Sequence, residues 1–214
     1  MVQNSPTRRG RPRAYDPDAA LARVVDAFWD AGFAATSLDD LSAATGMNRP
    51  SLYAAFGDKH ALYGKALDLY RVRTREALAR ALSGDHPLRI ALSKVYDTAI
   101  SIYLSGDNGA RGCFIIGTAV AQAVTDPDTR AALVDTLREI NHAFAARIAR
   151  AQRSGELSAD ADPAKLAKLA SATLYSLTIH GRAGEGRSAL KAIADAAIDV
   201  ICGPRQGRHR ETLR

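Results

Sequence analysis

Residues 36–59 of the chain read TSLDDLSAATGMNRPSLYAAFGDK, and this stretch decides the fold. A short helix begins at Thr36 or Ser37, with acidic residues three positions on as in a capping box, and it ends at Gly46. Asn48 can cap a second short helix directly after that turn. Two short helices joined by a tight turn predict a helix-turn-helix, because the second helix is too polar at its start to serve only as core.

The helical pattern continues on both sides of this stretch. Upstream, Asp16-Pro17 starts a helix with apolar residues at helical spacing, and Gly32 stops it. Downstream, Asp58 caps a long helix that runs to about Leu82. Further helices are predicted over 87–104, 113–124, 127–154, 163–181 and 187–202. No useful strand alternation interrupts this pattern, so we predict an all-α fold of about nine helices.

The formal net charge of +6 is concentrated at the two ends of the chain. The N-terminal arm holds no acid and four arginines: Arg8, Arg9, Arg11 and Arg13. Such an arm can follow phosphates or enter a narrow minor groove, although an ordinary solvated tail has the same composition. The expected organisation is a flexible basic arm (1–14), a helix-turn-helix DNA-binding domain (15–60), a C-terminal ligand-binding and dimerisation domain (61–204) and a flexible basic tail (205–214).

Several classes of protein do not fit the composition and motifs. Cys113 and Cys202 lie far apart and neither belongs to a Cys-x-x-Cys pair, so we expect no disulfide framework, zinc site or other cofactor. The sequence has no apolar run long enough for a bilayer and no signal-peptide pattern, so we expect a cytoplasmic location and no membrane partner. A helical enzyme is an alternative, but phosphate loops, His-Glu-x-x-His pairs and nucleophile elbows are missing from the sequence, and we expect no enzymatic activity.

The start of the second short helix carries the residues suited to reading DNA. Asn48, Arg49 and Ser51 are types that reach base edges or phosphates, with arginine favouring guanine and asparagine favouring adenine. The alternative is that these three residues merely cap and solvate an ordinary short helix. Leu52 and Phe56 are predicted to face the core.

The quoted stretch resembles the tetracycline-repressor (TetR/AcrR) family of bacterial transcriptional regulators, and the similarity extends upstream through Phe28 and Gly32-Phe33. The resemblance implies that one set of residues contacts phosphates and another faces bases. The phosphate set is Thr36, Tyr53 and Lys59, and the base set is Asn48, Arg49, Pro50 and Ser51. Ser37, which begins the same helix as Thr36, is also a DNA-binding candidate. Lys59 lies at a helix N-terminus that favours anions, whereas Tyr53 has the alternative of being a core aromatic residue.

The same resemblance implies a homodimer on double-stranded, palindromic operator DNA. Most members of the family are repressors, so a repressor is expected. The last two long helices would form the interface. Their apolar and small residues are suited to a four-helix bundle between subunits, and the alternative is burial within one subunit. The candidates are Leu166, Leu169, Ala170, Thr173, Leu174 and Leu177 on one helix and Leu190, Ile193, Ala197, Ile198 and Ile201 on the other.

An unknown small-molecule effector is expected in a pocket among the middle helices, as the resemblance implies. Polar groups that interrupt apolar helices are the candidates for contacting it. They are Tyr103, Cys113, Thr118, Gln122, His142 and Tyr175, with His180 as a further candidate. We expect His142 and His180 to be ordinary histidines and not metal ligands, and Cys113 to be a buried inert thiol in preference to a redox sensor. A DNA-binding protein without a ligand is a further alternative, which a filled C-terminal core would favour.

Overall fold

Helices form all the regular secondary structure in residues 16–106 and 109–204, which are the residues described by the computed structural model. In chain order the elements are α1 (Pro17–Ala35), α2 (Leu38–Thr45), α3 (Arg49–Phe56), α4 (Lys59–Leu82), α5 (Leu88–Tyr103), a π-helical turn (Ile115–Ala119), α6 (Val120–Gln122), α7 (Pro127–Arg153), α8 (Pro163–Arg182) and α9 (Arg187–Cys202). The predicted all-α fold is therefore confirmed over the described residues.

Short polar side chains begin most of these helices. Asp16, Asn48, Asp58, Asp126 and Asp162 each accept backbone N–H groups from the first turn of the helix that follows. These N–H groups have no partner within the helix, so the caps satisfy donors that would otherwise be lost. All five predicted helix starts are confirmed.

The N-terminal three helices pack around a small apolar centre. Helix α1 lies against α2 and α4, and its helical geometry breaks at Gly32, where the stop was predicted. Phe28 of α1 is fully buried, and its ring centroid lies 5.1 Å from that of Tyr63 on α4. Gly46 ends α2 in the left-handed conformation, with φ 70° and ψ 11°. This turn sets α3 at an angle to α2.

The remaining helices form the body of the molecule. Helix α8 packs against both α7 and α9, while α9 packs against α5 and α4 lies against α7. Tyr96, Phe144 and Ile148 are among its fully buried side chains. None of the helices in the described ranges is long and apolar enough to cross a bilayer.

The segment after residue 112 differs from the prediction of a regular α-helix over 113–124. It forms a π-helical turn at Ile115–Ala119, which a short α-helical turn follows. A Cβ atom at Gly117 would meet the guanidinium of Arg182 from α8, so the arginine side chain packs closely against this turn and would have to move aside for a larger residue. A tertiary contact of this kind leaves no periodic signal in the sequence.

The predicted interface residues of the last two helices lie mostly inside the subunit. Eight of the predicted residues are buried within the single chain: Ala170, Thr173, Leu174, Leu177, Leu190, Ala197, Ile198 and Ile201. Leu169 is the predicted residue that lies on the outward surface, and the other apolar or small residues there are Ala172 and Ile179 on α8 and Ala189, Ala192, Ala196 and Val200 on α9. The assignment was therefore wrong for these eight residues, since both faces of each helix carry apolar or small residues.

Gly46→Ala should lower the free energy of unfolding by about 1–2 kcal/mol, because an L-residue is strained in the left-handed region. No atom lies within 4 Å of the position that the new Cβ would occupy, so backbone strain is the only cost. Gly64→Ala is the matched control, since Gly64 lies within α4 with equally open surroundings. That change should raise stability by about 1 kcal/mol through helix propensity. Urea unfolding of both variants measures the difference, and equal effects would contradict it.

Candidate nucleic-acid interface and internal cavity

Helix α3 presents its first turn to solvent. The Asn48 side chain accepts the Ser51 backbone N–H at 2.9 Å, which fixes the start of the helix. Arg49 and Pro50 follow in the first turn and are exposed, and Ser51 is half-buried. All four residues predicted to face bases therefore lie together at one helix end. Their geometry suits insertion into a major groove, which accepts a helix of this size.

Two buried apolar residues of α3 hold the helix in place. Leu52 and Phe56 are buried, as predicted, with 2% and 8% of their surfaces exposed. Tyr53 lies between them and is 47% exposed. The alternative that Tyr53 is a core aromatic residue is thereby excluded in this structure, and its hydroxyl is available to a partner outside the protein.

A salt bridge connects the first turns of α2 and α3. Arg49 Nε donates to Asp39 Oδ1 at 2.9 Å, and Arg49 Nη2 donates to Asp39 Oδ2 at 2.5 Å. The hydrogen bond from the Arg49 side chain to Asp39 raises the pKa of the guanidinium, which therefore remains charged. The sequence reasoning missed this pair, because the two residues lie on different helices with a turn between them.

Lys59 lies in the first turn of α4, next to the cap made by Asp58. Its ammonium nitrogen is 4.5 Å from the centroid of the Phe33 ring, and the side chain is half-buried. A cation over an aromatic face is attracted by the negative charge density of the ring. This contact fixes the charge at a helix N-terminus, where an anion is favoured.

The buried side chain of Thr36 differs from the expectation that it contacts DNA, whereas the same expectation for Ser37 stays a prediction. Thr36 is 1% exposed, and its hydroxyl donates to the Gly32 carbonyl at 2.7 Å. Its side chain therefore closes the end of α1 and is not available to a phosphate. Ser37 is exposed but forms the capping box of α2 with Asp40, since its hydroxyl oxygen accepts the Asp40 N–H at 3.1 Å. Both residues shape the turn in this structure.

The arginines of the arm, Arg8, Arg9, Arg11 and Arg13, lie outside the described residues, as do residues 205–214. Their predicted contacts with DNA stay predictions.

Several side-chain contacts join α1–α3 and the start of α4 to the body. The Trp29 indole donates to the carbonyl of Gly112 at 3.1 Å, and the Arg111 guanidinium covers the same ring at 4.3 Å. The Tyr63 hydroxyl lies 2.8 Å from Thr118 Oγ1 in the π-helical turn. Since Thr118 donates its own proton to the Phe114 carbonyl, Tyr63 is the donor in this bond.

A further contact pairs His60 with Asp126, since His60 Nε2 and Asp126 Oδ2 are 2.6 Å apart. A hydrogen bond from Thr129, with His60 as a further cause, lowers the pKa of Asp126 to about 2. Asp128 is close enough to form a three-residue cation site with this pair. Both carboxylate oxygens of Asp126 already accept hydrogen bonds, from the cap of α7 and from Thr129, so the cluster acts as a link between elements.

A cavity of about 70 Å³ lies between α4, α5 and α8. Its lining is almost entirely apolar and consists of Tyr70, Thr74, Ala77, Leu78, Ala81, Val95, Thr98, Ala99, Ile102, Tyr103 and Leu174. Tyr103 is the predicted ligand residue that lines it. Tyr70 was missed, because a tyrosine at helical spacing in a long amphipathic helix does not differ from an ordinary packing residue.

The other predicted ligand residues do not converge on this cavity. Thr118 is buried against Tyr63, while Gln122 is half-buried in α6 and His142 is exposed on α7. These three residues therefore lie away from the cavity, since periodicity does not give the rotation of each helix about its axis. His180 pairs with Glu185 at 2.6 Å.

Cys113 lies behind the cavity, among tyrosines. The Tyr70 hydroxyl donates to its sulfur at 3.5 Å, and Tyr103 also hydrogen-bonds the thiol. Burial raises the pKa of the Cys113 thiol above its ordinary value. Burial, with the nearby Cys113 as a further cause, likewise raises the pKa of Tyr175 to about 12. These effects favour neutral, protonated groups throughout the cluster.

Comparison with known families matches both halves of the chain. The family described as "Bacterial regulatory proteins, tetR family" matches residues 21–66. The family described as "Tetracyclin repressor-like, C-terminal domain" matches residues 91–197. The first match contains α2 and α3, and the second contains the helices that line the cavity on the α5 and α8 sides.

Individual relatives and solved structures agree with these matches. The chain is 31% identical over 196 residues to the HTH-type transcriptional repressor ComR of Escherichia coli (strain K12), covering 89% of this chain and 90% of that protein. A cysteine mutant of the TetR family transcriptional regulator CifR, complexed with 26bp double-strand operator DNA, superposes with a TM-score of 0.75 at 32% identity. That match covers 88% of this chain and 98% of the CifR chain. A TetR transcriptional regulator from Chloroflexus aurantiacus J-10-FL has the same fold, with a TM-score of 0.77 at 24% identity over 88% of this chain and 94% of the other.

Iodoacetamide at pH 8 should alkylate Cys113 at least about tenfold more slowly in the folded protein than in urea, because only an accessible thiolate reacts. Cys202 is the internal comparison, since it is less buried, although burial raises the pKa of its thiol to about 11. Mass spectrometry of timed samples gives the rate at each cysteine. Rapid alkylation of Cys113 in the folded protein would contradict the prediction of an inert thiol and would identify a sensor cysteine.

Proposed function

The chain belongs to the tetR family of bacterial regulatory proteins, and from that premise we propose that it is a homodimeric repressor which releases its operator when a small molecule enters the cavity between α4 and α5. Members of this family are DNA-binding transcriptional regulators and not enzymes. The observation that carries the proposal is the exposed first turn of α3. This turn displays Asn48, Arg49 and Pro50, while Leu52 and Phe56 are buried and anchor the helix.

The proposed DNA-binding residues divide into those that contact bases and those that contact phosphates. Asn48, Arg49, Pro50 and Ser51 read base edges in the major groove, where each base pair shows a distinct pattern of donors and acceptors. Tyr53 and Lys59 contact phosphates, as supported by the exposure of Tyr53 and by the position of Lys59 at the start of α4. The arginines of residues 1–14 add phosphate or minor-groove contacts. Thr36 has no side-chain role in this scheme.

The dimer places two copies of α3 on one face of the DNA. A palindromic operator requires the two helices to be about 34–36 Å apart, which is one turn of the double helix. The outward surfaces of α8 and α9 support this assembly, because Leu169, Ile179 and Val200 are 37%, 61% and 69% exposed in the single chain. Small residues between them allow the helices of two subunits to approach closely. CifR, at 32% identity, is named as complexed with operator DNA.

Release follows from the position of Tyr70. Its ring lines the cavity and also packs edge-on against Trp29 of α1, with the ring centroids 5.0 Å apart. A ligand that displaces Tyr70 therefore acts directly on α1 and on α4, the helix that leads back to α3. If the ligand binds better to a state with altered spacing of the two α3 helices, it shifts the population away from the DNA-binding state.

The alternative of a DNA-binding protein without an effector is less favoured, because the core is not filled between α4 and α5. Division of the chain near residue 60 into a DNA-binding and an effector domain remains part of the proposal. Helix α4 contacts both proposed domains, since it packs against α1 and also against α5 and α7.

Arg49→Ala should lower the ratio of operator affinity to random-DNA affinity, whereas Lys59→Ala should weaken both affinities alike. The reason is that only a base contact carries sequence information, while a phosphate contact is independent of sequence. Lys59→Ala should also reduce the slope of log affinity against log salt by about one unit for each Lys59 that contacts a phosphate. An operator is first selected from a random library, and fluorescence anisotropy over a salt series then gives both affinities. Identical behaviour of the two variants would refute the division into base-contacting and phosphate-contacting residues.

Xenon should occupy the cavity in crystals of the protein under pressure, since apolar cavities that exclude water bind it. Ala99→Leu should abolish the xenon peak, because Ala99 lines the cavity and the added atoms fill it. The same variant should still repress an operator-controlled reporter and should no longer respond to conditions that induce the wild type. Ala121→Leu is the control, as Ala121 is exposed on α6. Normal induction of Ala99→Leu would show that the effector binds elsewhere.

A further inference from the structure

The pair formed by Arg49 and Asp39 has a geometry that matters for base recognition. A guanidinium carries N–H donors on two usable edges, one formed by Nε and one Nη nitrogen and the other formed by the two Nη nitrogens. Asp39 occupies the first edge, since its two oxygens accept from Arg49 Nε and Nη2. The second edge, formed by Nη1 and the outer hydrogen of Nη2, points away from the carboxylate.

The remaining edge is the one that matches guanine. Two parallel N–H donors from the Nη nitrogens fit the O6 and N7 acceptors of guanine in the major groove. An arginine held along its Nε edge keeps its plane and direction fixed, so fewer side-chain rotations are lost when it meets the base. The carboxylate therefore orients the reading edge without competing for it.

The location of the pair agrees with such a role. Asp39 is in the first turn of α2 and Arg49 is in the first turn of α3, so the bridge spans the helix-turn-helix. The side chains are 74% and 54% exposed, respectively. Exposed ion pairs contribute little to stability because water screens them and two long side chains lose freedom. Stabilisation of the fold is thus a poor explanation for a carboxylate on a surface that meets phosphates.

We propose that Asp39 is a positioning residue that holds Arg49 for end-on recognition of a guanine in each operator half-site. The proposal rests on the proposed function, because it requires that α3 reads the major groove. It names the base that the operator must contain at one position. It also assigns Asp39 a second effect, since a carboxylate facing DNA repels phosphates and keeps Arg49 from binding them in random sequences.

The experiment compares base discrimination in four proteins on an operator selected from a random library. These are the wild type, Asp39→Asn, Arg49→Ala and the double variant. Affinities are measured by anisotropy for the selected operator and for operators in which each guanine is replaced in turn. Asp18→Asn is the matched control, because it removes the same charge from an exposed acid in the first turn of α1. Circular dichroism melting of each protein verifies that it is folded.

We expect one guanine position at which the wild type discriminates by about tenfold or more, as a bidentate arginine contact does. Arg49→Ala should abolish discrimination at that position alone. Asp39→Asn should reduce it several-fold while raising affinity for random DNA, and it should have no further effect on discrimination in the Arg49→Ala background. Asp18→Asn should change affinity for all sequences equally.

Two results would overturn the proposal. One is discrimination at the Arg49-dependent guanine that Asp39→Asn leaves unchanged. The other is a loss of discrimination in Asp39→Asn that persists when Arg49 is already alanine, since Asp39 would then act on DNA by itself. A wild type that selects no sequence at all would instead contradict the proposed function, so the two failures are distinguishable.

Discussion

The indole of Trp29 is held from three directions, and the connection between the DNA-binding helices and the body depends on it. Its N–H donates to the carbonyls of Arg111 and Gly112, and its faces and edges contact the guanidinium of Arg111 and the rings of Tyr70 and Phe114. Arg111 is itself anchored to α1 by Asp26 and Asp30, at 3.1 and 3.0 Å. These contacts connect α1 with the segment that leads into Cys113 and the π-helical turn. A change in the cavity wall therefore reaches α1 through packed groups and not through a flexible linker.

Helix α4 provides a second connection of the same kind. Tyr63 and Tyr70 lie seven residues apart, which places them on the same side of the helix. Tyr63 bonds Thr118 in the π-helical turn, and Tyr70 lines the cavity and contacts Trp29. Both tyrosines pack on Phe114, with centroid distances of 6.1 and 5.4 Å. Because π-helical turns are often found at functional sites, the irregular backbone beside Phe114 is consistent with an element that adjusts when the cavity is occupied.

The sequence predicted those features that depend on neighbours along the chain. Caps such as Asn48 and Asp58, the turn at Gly46 and the exposed start of α3 were all predicted, because each is determined by a few consecutive residues. Features that need the tertiary structure were not. The bridge from Arg49 to Asp39 crosses a turn, and the close approach of Arg182 to Gly117 joins the π-helical turn to a distant helix. The faces of α8 and α9 were assigned wrongly because helices with two apolar faces give no sign of which one turns inward.

The size of the cavity limits how an effector can work. Since a cavity of roughly 150 Å³ holds the six carbons of benzene, a cavity of about 70 Å³ admits roughly three non-hydrogen atoms. At a ceiling of about 1.5 kcal/mol per atom, such a ligand binds with at most about 4–5 kcal/mol, which corresponds to a dissociation constant near 0.5 mM. A tighter effector must be larger, and in the proposed mechanism a larger molecule makes room for itself by separating α4 from α5. Because Tyr70 lies on α4 and packs against Trp29 of α1, such a movement of α4 would change the contact between α4 and α1. The proposed mechanism thus couples affinity for the effector to release of DNA through one displacement of α4, and it takes the closely packed state described here as the DNA-binding one.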